Sequence, residues 1–365
     1  MHIAHTTISD LVTALGHVIP AVPPKSTLFV LEHILLDADG DMLELTATDT
    51  ELAITAKLAA HITSSGKVLV PARKFYDIAR ALPDDASCEL ALSDGFIVIK
   101  TASGHYRLPT LDAGEFPELP HAEHAQTVTI SASDAQLIAT SVAYAATTEQ
   151  YRPAMTGVKF EIGPEFIAVA TDGYRLATVS MPVGSSGSQI EAIVPARVVE
   201  LLAKAESDVT IGLGKTHALI ESDGQRIVTR LIDEAYPQWR NVLPSSSDKF
   251  ATLDRQVLLK ALRRVALLAS NTSQLVRFRF DGTNLVLIVT DADTGAHAEE
   301  ALECEYTGEP IEIGFNSKYI IEALAHLPSQ RVTMAMTAPS RAALITPAEQ
   351  TPVSIAKLVM PMRIG

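Results

Sequence analysis

The chain has 365 residues, 47% of them hydrophobic and 5% aromatic, with a formal net charge of -14. That length exceeds the usual reach of one core and predicts two or three domains with aliphatic interiors. The acidity argues against a protein that coats nucleic acid or rests on an anionic membrane, and no apolar run reaches the roughly 18 residues of a membrane span.

In chain order, MHIAHTTISD lacks the basic start and apolar core of a signal peptide. With Cys88 and Cys304 far apart and in no metal or redox spacing, a soluble intracellular protein with buried or incidental thiols is expected. SDLVTALGHV from Ser9 has helical spacing after an N-cap residue. An apolar strand then runs into Ala47-Thr48-Asp49, and VPARKFYDIARAL from Val70 turns from strand to helix, with Pro71 suited to a first helical turn. FIVIK (96–100) follows an Asp94-Gly95 turn, and Pro120 to Gln126 breaks the periodicity as a linker.

The sequence then repeats itself. A helix opens at Ser133, and a strand ends in Ala170-Thr171-Asp172. Gly173 completes a turn that exposes Tyr174 and Arg175, and VPARVVELLAKA begins at Val194. After RIVTRLI (226–232) and a break at Pro244 to Asp248, DRQVLLKALRRVALL begins at Asp254. RFRF (277–280), Val289-Thr290-Asp291 and GFNSKYIIEALAHL from Gly314 follow, with Asn316 or Ser317 as the helix cap. Asp49, Asp172 and Asp291 are 123 and 119 residues apart, each with a Gly nine positions earlier. A period of about 120 residues is a triplicated domain, since solenoid repeats run roughly 20–50. The predicted domains are 1–122, 127–245 and 248–365, each written helix, strands, helix, strands.

Charge is unevenly placed. The six predicted helices sum to +4, leaving -18 for the remainder. On the last long helix Leu258, Ala261, Leu262 and Val265 share one face, and Lys260, Arg263 and Arg264 take the other. If the helices line one surface, that surface attracts phosphate. With no base-stacking aromatic run and no groove-reading motif, contact would be to the backbone and independent of sequence. No P-loop, dinucleotide fingerprint, HExxH or GxSxG is present. The pairs His2/His5 and His121/His124 have no third ligand nearby in sequence, so no metal or cofactor is expected. The apolar tail Leu358, Val359, Met360 and Met362 should be docked, against its own domain or as part of an adaptable peptide groove.

VPARKFYDI, VATDGYRLA, YPQWRNVLP, IGFNSKYI and the terminal VMPMRI, in that order within a triplicated chain, resemble the bacterial DNA polymerase III beta subunit family, the DNA sliding clamps. The resemblance covers essentially the whole chain. It implies an α+β fold of three repeated clamp domains, each with two helices packed on antiparallel β-sheets, closed as a head-to-tail homodimeric ring. It implies a cytoplasmic bacterial protein that is not an enzyme. Such a ring encircles duplex DNA without sequence specificity, is opened by a clamp loader complex, and tethers DNA polymerase III alpha, other polymerases and repair proteins through short linear motifs. The implied partner-peptide pocket is Met155, Thr171, Gly173, Tyr174, Arg175, Leu176, Pro237, Val242, Ala342, Val359, Met360, Pro361, Met362 and Arg363, with both arginines orienting the peptide. Tyr174 stands where the family often has His, and Asn241 where it often has Arg. Helix placement or resemblance makes Lys25, Arg73, Lys74, Arg80, Arg152, Arg197, Lys204, Lys260, Arg263 and Arg264 DNA-facing. For the ring seam, Tyr106 and Leu108 would face Leu267 and Leu268, with Glu299, Glu300 and Glu303 meeting basic residues such as Lys74. Two other readings stand beside this one: a clamp-derived peptide-binding scaffold that no longer encircles DNA, and an enzyme with an unrecognised site.

Overall fold

A computed structural model describes residues 2–120, 126–183 and 189–364; His121, His124 and Gly365 lie outside them, as does the side chain of His2. Six α-helices are described: α1 Ile8–Val18, α2 Ala72–Ala81, α3 Ala132–Val142, α4 Ala196–Leu201, α5 Arg255–Val265 and α6 Ser317–Ala325. They pair by repeat, α1 on α2, α3 on α4 and α5 on α6. The expected apolar face of α5 is buried, and Lys260, Arg263 and Arg264 are exposed.

The caps differ in detail from expectation. Thr7, not Ser9, caps α1 by accepting from Asp10 N. Asp254 caps α5 and Asn316 caps α6 through their side-chain oxygens. Pro71 and Pro195 stand at the N-cap, one position before the first turn, because the preceding strand runs through each proline with extended ψ (109° and 133°). Helices α3, α4 and α5 each close in a 3-10 turn, at Ala143–Ala145, Leu202–Lys204 and Ala266–Leu268.

The strands form four antiparallel sheets, and the chain divides into two compact units. The first unit comprises residues 1–131 and 206–231. It holds the four-stranded sheet His2–Thr7, Ser87–Ser93, Phe96–Thr101, Gly104–Pro109. It also holds an eight-stranded sheet in the order Gly66–Pro71, His33–Asp39, Met42–Thr48, Leu52–Ala59, Gln225–Arg230, His217–Ser222, Val209–Leu213, Gln126–Ile130. The second unit comprises residues 132–205 and 232–365. Its nine-stranded sheet runs Ile190–Pro195, Gly157–Ile162, Glu165–Thr171, Arg175–Pro182, Ser354–Val359, Ala343–Pro347, Arg331–Met336, Lys249–Asp254, Glu305–Thr307. Its four-stranded sheet runs His297–Glu303, Asn284–Thr290, Leu275–Asp281, Ile311–Asn316. The middle repeat contributes strands to both large sheets, so compactness divides it although the sequence period does not.

The repeat survives at the level of single hydrogen bonds. Thr48 Oγ1 donates to Leu52 O and accepts from Thr50 N, and Asp49 Oδ1 accepts from the N–H groups of Glu51 and Leu52. One period later Thr171 Oγ1 donates to Arg175 O and accepts from Gly173 N, and Asp172 Oδ1 accepts from Tyr174 N and Arg175 N. The turn requires a left-handed residue, at φ +80° for Thr50 and +91° for Gly173. Glycine adopts that conformation freely, and a β-branched residue does so only under strain. The third copy, at Asp291, is a longer loop closed by Thr294 and Gly295.

Candidate functional site

The Thr171-to-Arg175 turn lies in the second unit, where strand Arg175–Pro182 pairs with the last strand, Ser354–Val359. Arg175 stands opposite Val359, Leu176 opposite Leu358 and Ala177 opposite Lys357. Because side chains alternate along a strand, neighbouring residues here serve different faces. Leu176 and Leu358 join Val169, Ile193, Tyr236 and Trp239 in a buried apolar cluster, flanked by half-buried Ala154, Ala342 and Leu344. Tyr236 Oη donates to Val169 O at 3.2 Å.

Trp239, the single tryptophan of the chain, is fixed at its polar edge. Its Nε1 donates to Glu161 Oε1 (3.2 Å), and Arg240 forks onto the same carboxylate at 3.1 and 2.6 Å while lying 4.2 Å over the indole. Burial alone would raise the Glu161 carboxyl. The bonds from Arg240 and Trp239 and the charge of Lys159 outweigh it and hold the group below the usual carboxylate range. Pro237 and Val242 lie on the same segment, and Val242 is 50% exposed.

Arg175 and Val359 alternate with Leu176 and Leu358 and so take the other face of the sheet. Val359 and Leu358 are both buried, and of the two Leu358 belongs to the cluster. The Arg175 guanidinium is engaged within the chain: Nε donates to Asp172 (3.0 Å), Nη2 to Tyr144 O (2.9 Å) and Nη1 to Glu322, with the group 5.1 Å from the rings of both Tyr144 and Tyr319. It braces the turn; its strong donors are already committed. Arg152 does likewise, its Nη1 donating to Asp172 O (3.2 Å) beside Gly173. Tyr174, 56% exposed, stacks on Tyr319 at 6.2 Å, at the rim of a cavity of about 460 Å³ that also touches Tyr144, Glu149 and Glu200.

Beneath this face lies Lys357, with no exposed surface. Its Nζ donates to Ser141 O and stands 5.1 Å from the ring of Tyr144, which also stacks with His326 at 4.3 Å. Burial pushes the Lys357 ammonium down to about 7 and raises the Tyr144 phenol well above its ordinary value.

The tail is docked on the middle repeat through Met360 and on its own repeat through Met362. Met360 N donates to Tyr174 O (2.9 Å), and Met362 bridges to Gly314 with its N 2.8 Å from Gly314 O. A Cβ on Gly314 would lie 2.9 Å from Met362 O and 2.8 Å from Leu275 Cδ1. Met360 is 39% exposed, Pro361 and Met362 are half-buried, and Arg363 is exposed. Met155 lies half-buried in the 3-10 turn Pro153–Thr156, its carbonyl accepting from Thr147 N.

Of the cations assigned to DNA, Lys25, Arg73, Lys74, Arg80, Arg197, Lys204, Lys260 and Arg263 are exposed, while Arg152 is half-buried. Arg264 is exposed but bonded to Glu300. At the residues assigned to the seam, Tyr106 is 37%, Leu267 83% and Leu268 42% exposed. Leu108 is 6% exposed, covered by its own chain, and so offers little apolar surface. Gly104–Pro109 and His297–Glu303 are each the outermost strand of a four-stranded sheet. The first carries His105 and Arg107; the second carries Glu299, Glu300 and Glu303, with Glu299 also bonded to Arg279 at 3.1 Å. Both cysteines are buried free thiols, and burial pushes Cys88 up to about 11. Among the described residues no group of three or more His, Cys, Asp or Glu is arranged to hold a metal ion, and no helix is long and apolar enough to cross a membrane.

A triplicated α+β chain of antiparallel sheets and paired helices, with an apolar cluster that takes in Leu358 of the last strand, is thereby defined. Residues 4–120, 129–238 and 240–363 match the N-terminal, central and C-terminal domains of the DNA polymerase III beta subunit. The chain belongs to the DNA polymerase III beta subunit family. It is 29% identical to the beta sliding clamp of Caulobacter vibrioides, covering 97% of this chain and 98% of that one. It is 31% identical to that of Synechococcus elongatus, covering 98% of each. The crystal structure of the Pseudomonas aeruginosa DNA polymerase III subunit beta superposes with a TM-score of 0.92 at 28% identity over all of both chains. A sliding clamp from the same organism bound to griselimycin superposes at 0.94, again at 28% identity over all of both chains.

Proposed function

We propose that this protein is a processivity factor of DNA replication, a sliding clamp that encircles duplex DNA and tethers polymerases and repair proteins. The observation that carries the reading is the match of three successive clamp domains along nearly the whole chain. Two copies join head to tail into a ring, the edge strand with His105 and Arg107 meeting the acidic edge strand with Glu299 and Glu303. Complementary charge and open strand edges support this pairing. Tyr106, Leu267 and Leu268 supply its apolar contacts, and Lys74 meets the acidic strand. Domain boundaries near 122 and 246 keep each pair of helices with its strands.

DNA passes the exposed cations Lys25, Arg73, Arg80, Arg197, Lys204, Lys260 and Arg263, which contact phosphate without reading bases. Short partner motifs end in the basin floored by Leu176, Leu358, Tyr236 and Trp239, bordered by Met155, Pro237, Val242, Ala342, Met360, Pro361 and Met362. Thr171, Gly173, Tyr174 and Arg175 hold its turn, and the exposed Arg363 follows Met362 on the tail. The apolar lining supports this reading, since burial of a partner's apolar end stabilises by about 25 cal/mol per Å². The protein performs no catalysis of its own and works in the bacterial cytoplasm, where a loader complex opens it.

Primer extension on a long singly primed circle, with a family polymerase and loader, tests the function. Product length should rise from hundreds to thousands of nucleotides when the chain is added. Unchanged length would refute the reading.

A further inference from the structure

The first unit contains a second cavity, of about 340 Å³, whose apolar walls the clamp reading does not use. Its walls are Val22, Pro24, Phe29 and Pro71, and Arg73 and Lys74 stand at its lining. The walls are preformed. Arg73 Nη2 donates to Val22 O (3.2 Å), Glu32 Oε1 accepts from Ser26 N (3.1 Å), and Phe29 O is 3.1 Å from Nδ1 of the buried His33. Prolines add rigidity and present no N–H to satisfy. Even so, Phe29 is 63% exposed and the adjacent Leu28 57%. The 123-residue spacing from Asp49 to Asp172 also takes Glu32 to Met155 and Phe29 to Arg152. The cavity is thus the first repeat's counterpart of the segment beside the peptide basin.

We infer that this cavity is a second docking site, for an acidic linear peptide that inserts one aromatic or aliphatic side chain and lays its flanking carboxylates on Arg73 and Lys74. An apolar volume of this size with a few placed charges fits a single large side chain. Charge complementarity selects an acidic partner, in contrast to the acidic character of the chain as a whole. Duplex DNA fits less well: a phosphate backbone gains nothing by covering Val22, Pro24 and Phe29.

The test is fluorescence anisotropy with a fluorescein-labelled EDFDE peptide, on the full-length protein at low salt. Phe29→Ala removes a wall, and Pro24→Asp sets a carboxylate at the mouth. Each should weaken binding at least about tenfold while its thermal melt stays near that of the wild type. Val242→Asp, in the second unit, should leave this peptide's affinity within about twofold, which separates this site from the peptide basin. Equal affinity for wild type and both first-repeat variants would overturn the inference, as would loss of binding in Val242→Asp. Loss of duplex binding in Phe29→Ala with unchanged peptide affinity would also overturn it, marking the face as a DNA contact.

Discussion

Arg264 forks onto Glu300, its Nε 3.2 Å from Oε2 and its Nη2 bonded to Oε1, so that α5 is tied to the outermost strand His297–Glu303. The sequence places these residues in different roles, one toward DNA and one at a seam. The fork spends the Arg264 charge inside one subunit and leaves Lys260 and Arg263 as the free cations of α5.

Lys260→Glu and Arg263→Glu should therefore each weaken binding to a short duplex more than Arg264→Gln does. The slope of log affinity against log salt should fall by about 0.9 for each phosphate contact removed. Glu300→Gln, which releases Arg264, should steepen that slope. A titration between 50 and 200 mM salt measures all four. A scaffold that no longer encircles DNA would show none of these changes.

Val242 and Met360 offer exposed apolar surface, the first three residues after Trp239 and the second two after Leu358 of the buried cluster. Val242→Asp or Met360→Asp should weaken a labelled peptide with an apolar-aromatic end by tenfold or more, at least about 1.4 kcal/mol. The melting temperature should hardly move, because neither side chain is part of the core. Calorimetric titration reads the affinity, and Arg175→Lys serves as the contrast. Its main cost should be stability, since its guanidinium is bonded to Asp172, Tyr144 and Glu322.

Much of this was readable from sequence, and the exceptions have a physical cause. The six helices, the triplication and the docked tail follow from caps, periodicity and spacing, all of them local. The Thr-Asp turn could be found because a side-chain oxygen and a left-handed residue at fixed offsets leave a sequence trace. The place of Leu358 in the buried cluster was not legible because one residue of register reverses every side chain, and register depends on pairing with strand Arg175–Pro182. Tyr144, Glu161, Tyr319, Glu322 and Lys357 were missed because they meet across more than one element. Tyr236 and Trp239 had a signal in the single tryptophan within YPQWRNVLP, although nothing there shows that they, more than Pro237 and Val242, floor the basin.

Lys357 gives a pH dependence with a definite sign. Its ammonium is held near 7 in the folded chain, against 10.5 when unfolded. Between those values the unfolded chain binds more protons, so stability rises with pH across that window. Arg175, His326 and Glu322 face the same ring system, and His326 is already held below its ordinary value by burial, so it titrates under the window. Denaturant melts from pH 7 to 9 should show stability climbing in the wild type and nearly flat in Lys357→Met. Equal slopes would contradict the assignment.

Gly314→Ala should displace the tail, because the new methyl meets Met362 O and Leu275 at under 3 Å. Overpacking of this kind costs about 1–3 kcal/mol. Peptide affinity should fall with it, since Met360 and Met362 leave their places together. Differential scanning calorimetry and the peptide titration report the two effects on one sample.

The central claim is a closed ring that holds DNA by topology. Its direct test is retention on a nicked circle, compared with the same DNA after a single restriction cut, following loader-assisted assembly. The protein should co-elute with the circle through gel filtration at 150 mM salt and leave within minutes of linearisation. Equal loss from both forms, or equal retention on both, would contradict it.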